Sequence, residues 1–332
     1  MPFRADDGTP LRLTNIRGDG APVLLVHGAG VRSAIFHRLG RALAGAGRDV
    51  WLLDWRGSID LPARSWTLDE VALFDHPAAV RTVLAETGAD RLSAVVHCQG
   101  SVTFMMALCA GLLPRVDTVV SNAVSLHPVV PAWSRVKLRA GTPVVSRLLT
   151  HLDPSWGLVP PRALTPRVLT ALVRAFHHEC DNLVCKLVSF TYGSGRPALW
   201  RHENLTPETH DSFIPHEFGP VPMTFFRQMA ACVRAGRLVS ELPGLPRDHT
   251  ARGPATDARI VLLAGAHNLC FLPESQRRTF SWLERHAPGR HALHVLPDYG
   301  HLDVLLGRHA DRDVFPLILD ELRVRDDVRG GA

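Results

Sequence analysis

The chain has 332 residues, 46% apolar and 21% charged. That is the make-up of a globular protein and excludes disordered, collagen-like and disulfide-scaffold classes. The formal charge of +5 is carried almost wholly by arginine, because Lys137 and Lys186 are the only lysines. The arginines are scattered rather than clustered, so no basic footprint for nucleic acid is present.

The opening segment, MPFRADDGTPLRL, lacks the apolar centre of a secretory signal. The first strand expected is Val23-Leu-Leu-Val26, which runs into His27-Gly28-Ala29-Gly30. A helix-length segment over 33–44 follows, then Val50-Trp-Leu-Leu53 ending in Asp54-Trp-Arg-Gly57. A helix over 68–87 precedes Leu92-Ser-Ala-Val-Val96, which ends in His97-Cys98-Gln99-Gly100. After a helix over 100–113 comes a fourth apolar run, 118–124. Short apolar runs closed by glycine turns and separated by helices read as parallel strands of a doubly wound α/β sheet.

The alternation breaks between 127 and 259, where Pro and His are frequent and helices are short, one of them over 222–235. It resumes with Arg259-Ile-Val-Leu-Leu-Ala-Gly265, a helix over 273–286, a strand over 291–296 and a last helix over 310–324. The expected organisation is a core of 1–127 and 256–332 interrupted by an inserted lid over 128–255. The longest apolar run, 104–114, is too short for a membrane span of ~18 residues. A soluble cytoplasmic protein is expected, with reduced thiols at Cys98, Cys109, Cys180, Cys185, Cys232 and Cys270.

Three loops at strand ends carry candidate chemistry. In His97-Cys98-Gln99-Gly100-Ser101 a strand turns sharply into a helix, so Cys98 should stand at the sheet edge beside helix-terminal amides. Compared with the G-x-S-x-G elbow, Val96 replaces the first glycine and Cys98 the serine, while Gly100 is retained. The plain alternative is a buried strand-end thiol. Gly28 lets the backbone approach a ligand, which makes the amides of Ala29 and Gln99 the candidate oxyanion hole. Tyr299-Gly300-His301-Leu302-Asp303 offers His301 as a late-chain base, with Asp303 ordering the loop.

Together these motifs resemble the α/β-hydrolase fold and, within it, the acid-lipase-like branch. The likeness rests on Leu25-Val-His-Gly28, Asp49-Val-Trp-Leu-Leu-Asp-Trp-Arg-Gly57, Asp75-His-Pro-Ala-Ala79 and Tyr299-Gly-His-Leu-Asp303. The H-C-x-G-S elbow, Ser125-Leu-His-Pro-Val-Val130 and the 202–210 stretch are similar to hydrolase-like proteins associated with cholesterol-oxidase-type flavoenzymes. The resemblance implies a mobile helical cap over a hydrophobic acyl pocket, and no cofactor. Where acid lipases have G-x-x-D after the penultimate core strand, this chain has Gly265-Ala266-His267-Asn268, an amide in place of the carboxylate.

A Cys98–His301–Asn268 triad is chemically coherent, because a thiol ionises readily beside an imidazole and needs less help from a carboxylate; Glu274 and Asp298 remain alternatives for the third member. The expected function is a cysteine-nucleophile acyl enzyme, an acyltransferase or a thioesterase/esterase, in natural-product or lipid metabolism. Its partner would be a hydrophobic acyl, polyketide or sterol-like small molecule, free or on a carrier protein. The competing readings are a catalytically weak ligand-binding protein, and a lyase or isomerase using His301 as base. Pocket and lid candidates are His27, Gly28, Phe190 and Phe225, among the insertion aromatics Tyr192, Trp200, Phe213, Phe218 and Phe226. The spacing of His177, Cys180 and Cys185 fits no standard zinc pattern, and no metal is expected.

Overall fold

A computed structural model describes residues 1–193 and 196–330 of the chain, with side chains through 323. Eight strands form one sheet in the order β1-β2-β4-β3-β5-β6-β9-β10. They are β1 (Pro2–Arg4), β2 (Pro10–Ile16), β3 (Pro22–Val26), β4 (Asp49–Asp54), β5 (Leu92–His97), β6 (Val116–Asn122), β9 (Arg259–Gly265) and β10 (Ala292–Leu296). β1, β2 and β4 pair antiparallel, and every pairing from β4 to β10 is parallel. This is an α/β-hydrolase fold: a mostly parallel sheet with helices on both faces.

The parallel strands were legible because they are buried on both faces, which leaves no polar alternation; every residue of β3 is buried. The N-terminal pair was not anticipated. Its signal is weak, since β2 is an edge-side strand in which only Leu11 and Leu13 alternate inward.

Helices α1 (His37–Gly45), α3 (His76–Thr87), α4 (Gln99–Cys109), α10 (Glu274–His286) and α13 (Phe315–Gly330) make the crossovers. A short α2 (Leu68–Glu70) is closed by a Thr67/Glu70 capping box and continues through a π-helical turn, Val71–Asp75, into α3. The turn directs Asp75 inward, where it accepts from the Arg56 side chain at 2.6 and 2.8 Å and from the Arg56 amide at 3.0 Å. Two short helices, α11 (Asp303–Leu306) and α12 (Ala310–Asp313), precede α13.

The chain between β6 and β9 is helical. It holds α5 (Ala132–Val136), α6 (Thr142–Leu148), α7 (Leu164–Phe176), α8 (Leu183–Tyr192) and α9 (Met223–Ala235), with a two-stranded ribbon of β7 (His151–Leu152) and β8 (Val221–Pro222). This segment covers the C-terminal ends of the parallel strands, where an open α/β sheet presents its ligand crevice. Among the described residues no helix is long and apolar enough to cross a membrane.

Candidate active site

Among the described residues, Cys98 and Ala123 are the non-glycine residues at positive φ; Cys98, between the end of β5 and the start of α4, has φ +54° and ψ −121°. A side chain at positive φ is strained, and such strain gathers at functional positions. Two glycines make room for the turn. A methyl group at Gly100 would stand 2.3 Å from the His27 carbonyl oxygen, and one at Gly28 would stand 3.0 Å from Cys98 Cβ. The loops after β3 and β5 are therefore in direct contact only because neither glycine carries a side chain.

His301, on the loop after β10, brings its imidazole to this turn. Ring nitrogens of His97 and His301 and the sulfur of Cys98 lie within 4.8 Å of one another. His301 Nδ1 lies 3.2 Å from Asn268 Oδ1, which fixes Nδ1 as the protonated donor. His301 Nε2 is buried and has no other hydrogen-bond partner, so it faces the thiol as the free basic nitrogen.

Asn268 is held in turn by the amides of Cys270 and Phe271, both 3.0 Å from its Oδ1. The other carboxylates considered at this position are engaged elsewhere. Glu274 accepts from Arg278 at 2.9 Å, and Asp298, 81% exposed, lies 3.8 Å from Arg201. Asp303 orders the His301 loop: its carboxylate accepts from the Gly300 amide at 2.8 Å and the Asn204 side chain at 2.5 Å.

One member of the site was not anticipated. The Cys270 thiol hydrogen-bonds the sulfur of Cys98, and this contact holds the Cys98 thiol well below the ordinary cysteine range. Burial opposes the shift, while the His301 imidazole and the Gln99 amide reinforce it. Cys270 itself is driven well above that range, by Cys98 first and by burial second. Of the two thiols Cys98 is therefore the readier to ionise, with Cys270 as its hydrogen-bond donor. The only sequence signal was the position of Cys270 two residues after Asn268.

Ala29, Cys98 and Gln99 line one cavity together with Cys270, Lys137, Tyr192, Phe225 and Phe226. The Tyr192 hydroxyl donates to the Ala29 carbonyl at 2.8 Å, which ties the end of α8 to the loop after β3. Lys137 Nζ donates to the carbonyls of Phe190 and Gly193, and burial pushes its pKa down to about 8.

Two pocket candidates stand elsewhere. His27 is wholly buried, stacked on Trp55 and 3.7 Å from Asp54, because the turn at Gly28 points its side chain into the core. Phe190 packs against Lys137 and His177 rather than lining the cavity. Phe218 and Trp200 support Tyr192 from behind, and Phe213 borders a separate surface groove.

His97, Cys98 and His301 could together ligate a soft cation, but it would occupy the sulfur and the Nε2 lone pair that the triad needs. A second group of donors lies in the helical segment. There Cys180 and Cys185 face His202 and His210, while His177 turns away to Glu179 at 2.7 Å.

The family model described as the alpha/beta hydrolase fold matches residues 21–148. A putative lysosomal acid lipase/cholesteryl ester hydrolase of Crotalus adamanteus is 33% identical over 105 residues, 28% of this chain and 26% of that protein. Lipase member K of Homo sapiens is 24% identical over 211 residues, 59% of this chain and 50% of that protein. The chain thus spans between a quarter and a half of the length of these curated relatives. Among solved structures, a thermophilic esterase from Thermogutta terrifontis, in a malate-bound form, superposes with a TM-score of 0.61 at 17% identity, covering 97% of this chain and 98% of that one.

Proposed function

We propose that this chain, which has the α/β-hydrolase fold, is a hydrolase-type acyl enzyme whose nucleophile is Cys98, acting on a hydrophobic ester or thioester through an acyl-cysteine intermediate. The observation that carries this reading is the strained elbow at Cys98, facing an imidazole whose other nitrogen is fixed by Asn268. A buried structural thiol has no use for either feature. The depressed Cys98 pKa supports the same reading.

In the proposed cycle His301 Nε2 takes the proton of the Cys98 thiol, and the resulting thiolate attacks the acyl carbonyl carbon. A C–S bond forms and the carbonyl electron pair moves to oxygen, where the amides of Ala29 and Gln99 would receive it. Collapse breaks the bond to the leaving group, which takes a proton from His301 Nε2. His301 then removes a proton from water, or from an acceptor alcohol or amine, as that group attacks the thioester. Cys98 leaves as thiolate and the acid, ester or amide is released.

A thiolate leaves a tetrahedral intermediate more readily than an alkoxide, so attack on an unactivated alkyl ester tends to reverse. Thioesters and activated esters are the favoured donors, and the acyl-cysteine retains enough energy for transfer. The aromatic lining from Phe225 and Phe226 supports an apolar acyl group, free or presented by a carrier protein. The enclosed space beside Cys98 is only about 40 Å³, far below the roughly 300–1,000 Å³ of a small-molecule site. Substrate entry therefore requires the helices over the thiol to shift.

The test is intact-protein mass spectrometry after brief exposure to a panel of acyl thioesters and activated esters, with Cys98→Ala alongside. The expected result is one acyl mass on the parent and none on the variant, and the adduct's decay in water or with added alcohols and amines separates hydrolysis from transfer. Turnover that survives Cys98→Ala without an adduct overturns the proposal.

A further inference from the structure

The four donors away from the elbow come from two separate stretches. Cys180 sits on the loop before α8 and Cys185 in its first turn, while His202 and His210 lie on the strap that follows. One atom from each lies within 4.8 Å of the other three. Cys180 Sγ is 3.6 Å from His210 Nε2, and Cys185 Sγ is 3.4 Å from His202 Nε2. A tetrahedral zinc with bonds of ~2.3 Å to sulfur and ~2.05 Å to nitrogen places those atoms roughly 3.5 Å apart. Those two sulfur–nitrogen pairs thus already stand at the edge length of a tetrahedral site, and the remaining pairs lie within 4.8 Å.

We propose that Cys180, Cys185, His202 and His210 form a structural zinc site in the helical segment. Two thiolates and two neutral imidazoles cancel the charge of a divalent ion. Such a soft donor set, without a carboxylate, selects zinc over calcium or magnesium.

The surroundings match a metal site. Asp211 lies 2.6 Å from His210 Nδ1, fixing the tautomer that presents Nε2, as carboxylates do behind zinc-bound histidines. The amide of Asn182 donates to Cys180 Sγ at 3.3 Å, an interaction that favours thiolate. Asn182 also caps α8 through the amides of Val184 and Cys185, which sets the position of the second sulfur.

Four protein ligands leave no open position, so the ion's role is mechanical. It would tie the start of α8, whose last residue Tyr192 reaches the Ala29 carbonyl, to the strap bearing His202. That strap is bonded to the His301 loop, since the Leu302 amide donates to the Leu199 carbonyl at 2.6 Å. The sequence disguised the site, because sixteen residues separate Cys185 from His202 and seven separate the two histidines.

The full chain, produced untagged in zinc-supplemented medium and purified without chelator, should carry one zinc per chain by elemental mass spectrometry. Cys185→Ser and His210→Ala should each retain less than about a tenth of that occupancy. Cys98→Ala and His177→Ala should keep it, which excludes the elbow as the source. Cobalt(II) exchanged into the parent should show thiolate-to-metal charge-transfer bands. Stripping zinc from the parent with a chelator should lower its melting temperature, and re-addition should restore it, so the result does not depend on the variants folding. A parent with no zinc and no cobalt bands under reducing conditions overturns the proposal, as does full zinc retention in both ligand variants.

Discussion

The sheet and the first part of the helical segment above it both carry large apolar side chains and use them in opposite ways. Val23, Leu24, Leu25 and Val26 of β3 have no exposure at all. Between Trp133 and Phe176, by contrast, ten large apolar side chains are each at least 43% exposed. In α7 the row Leu164, Val168 and Leu172, spaced four apart along one stripe, faces outward, while Val173 packs inward. An amphipathic period therefore identifies a face meant for contact without saying what it contacts. The sheet's apolar surface stabilises the fold, whereas the outer face of the segment adds little stability. On the proposed function, that part of the segment would shift over a Cys98 held by the sheet below.

If that division is correct, the largest effect of substitution falls on the sheet edge. Cys98→Ala should lower the proposed acyl-transfer rate by about 10⁴-fold or more, measured as single-turnover release from an activated ester. Next comes a pair of stability measurements. Phe104→Ala, in the fully buried α4, should cost about 3–5 kcal/mol in denaturant unfolding. Phe176→Ala, 76% exposed at the end of α7, should stay within about 0.5 kcal/mol; an equal loss at both positions would break the comparison.

Asn268→Ala should slow turnover by roughly a hundredfold. That is less than a triad carboxylate would cost, because a neutral amide orients His301 without stabilising its charge.

The smallest effect is a shift in pH dependence. The Cys98 pKa is depressed, so its thiolate persists to lower pH than that of an ordinary cysteine, and alkylation by a small haloacetamide should follow that limb. Cys109, pushed up to about 12 by burial, should stay unreactive. Cys270→Ala removes the donor to the Cys98 sulfur, so the alkylation midpoint should move to higher pH; an unmoved midpoint would show that Cys270 does not support the charge.

How far the sequence could be read follows from the same division. Cys98, His301 and Asn268 each sit just after a parallel strand, and strand ends can be found from a run of buried residues closed by a glycine turn. Cys270 and Lys137 enter the cavity through contacts between segments far apart in the chain, and no local period records such contacts. His27 was misplaced for a related reason. Its glycine neighbour marks the approach of two loops, but only the backbone direction at Gly28 decides whether the histidine points into the cavity or the core. Proline-rich stretches and short turns hid His202 and His210 from any pattern based on spacing.

The positive φ at Cys98 bears on descent as well as on chemistry. A non-glycine residue in that conformation costs of order 1–3 kcal/mol, a standing burden on a fold whose total margin is typically ~5–15 kcal/mol. Glycine would relieve the strain, and Cys98→Gly should raise the melting temperature. In a lineage that no longer used the thiol, nothing would oppose that replacement. On the proposed function, the elbow is thus a position where selection for stability and selection for reactivity pull in opposite directions.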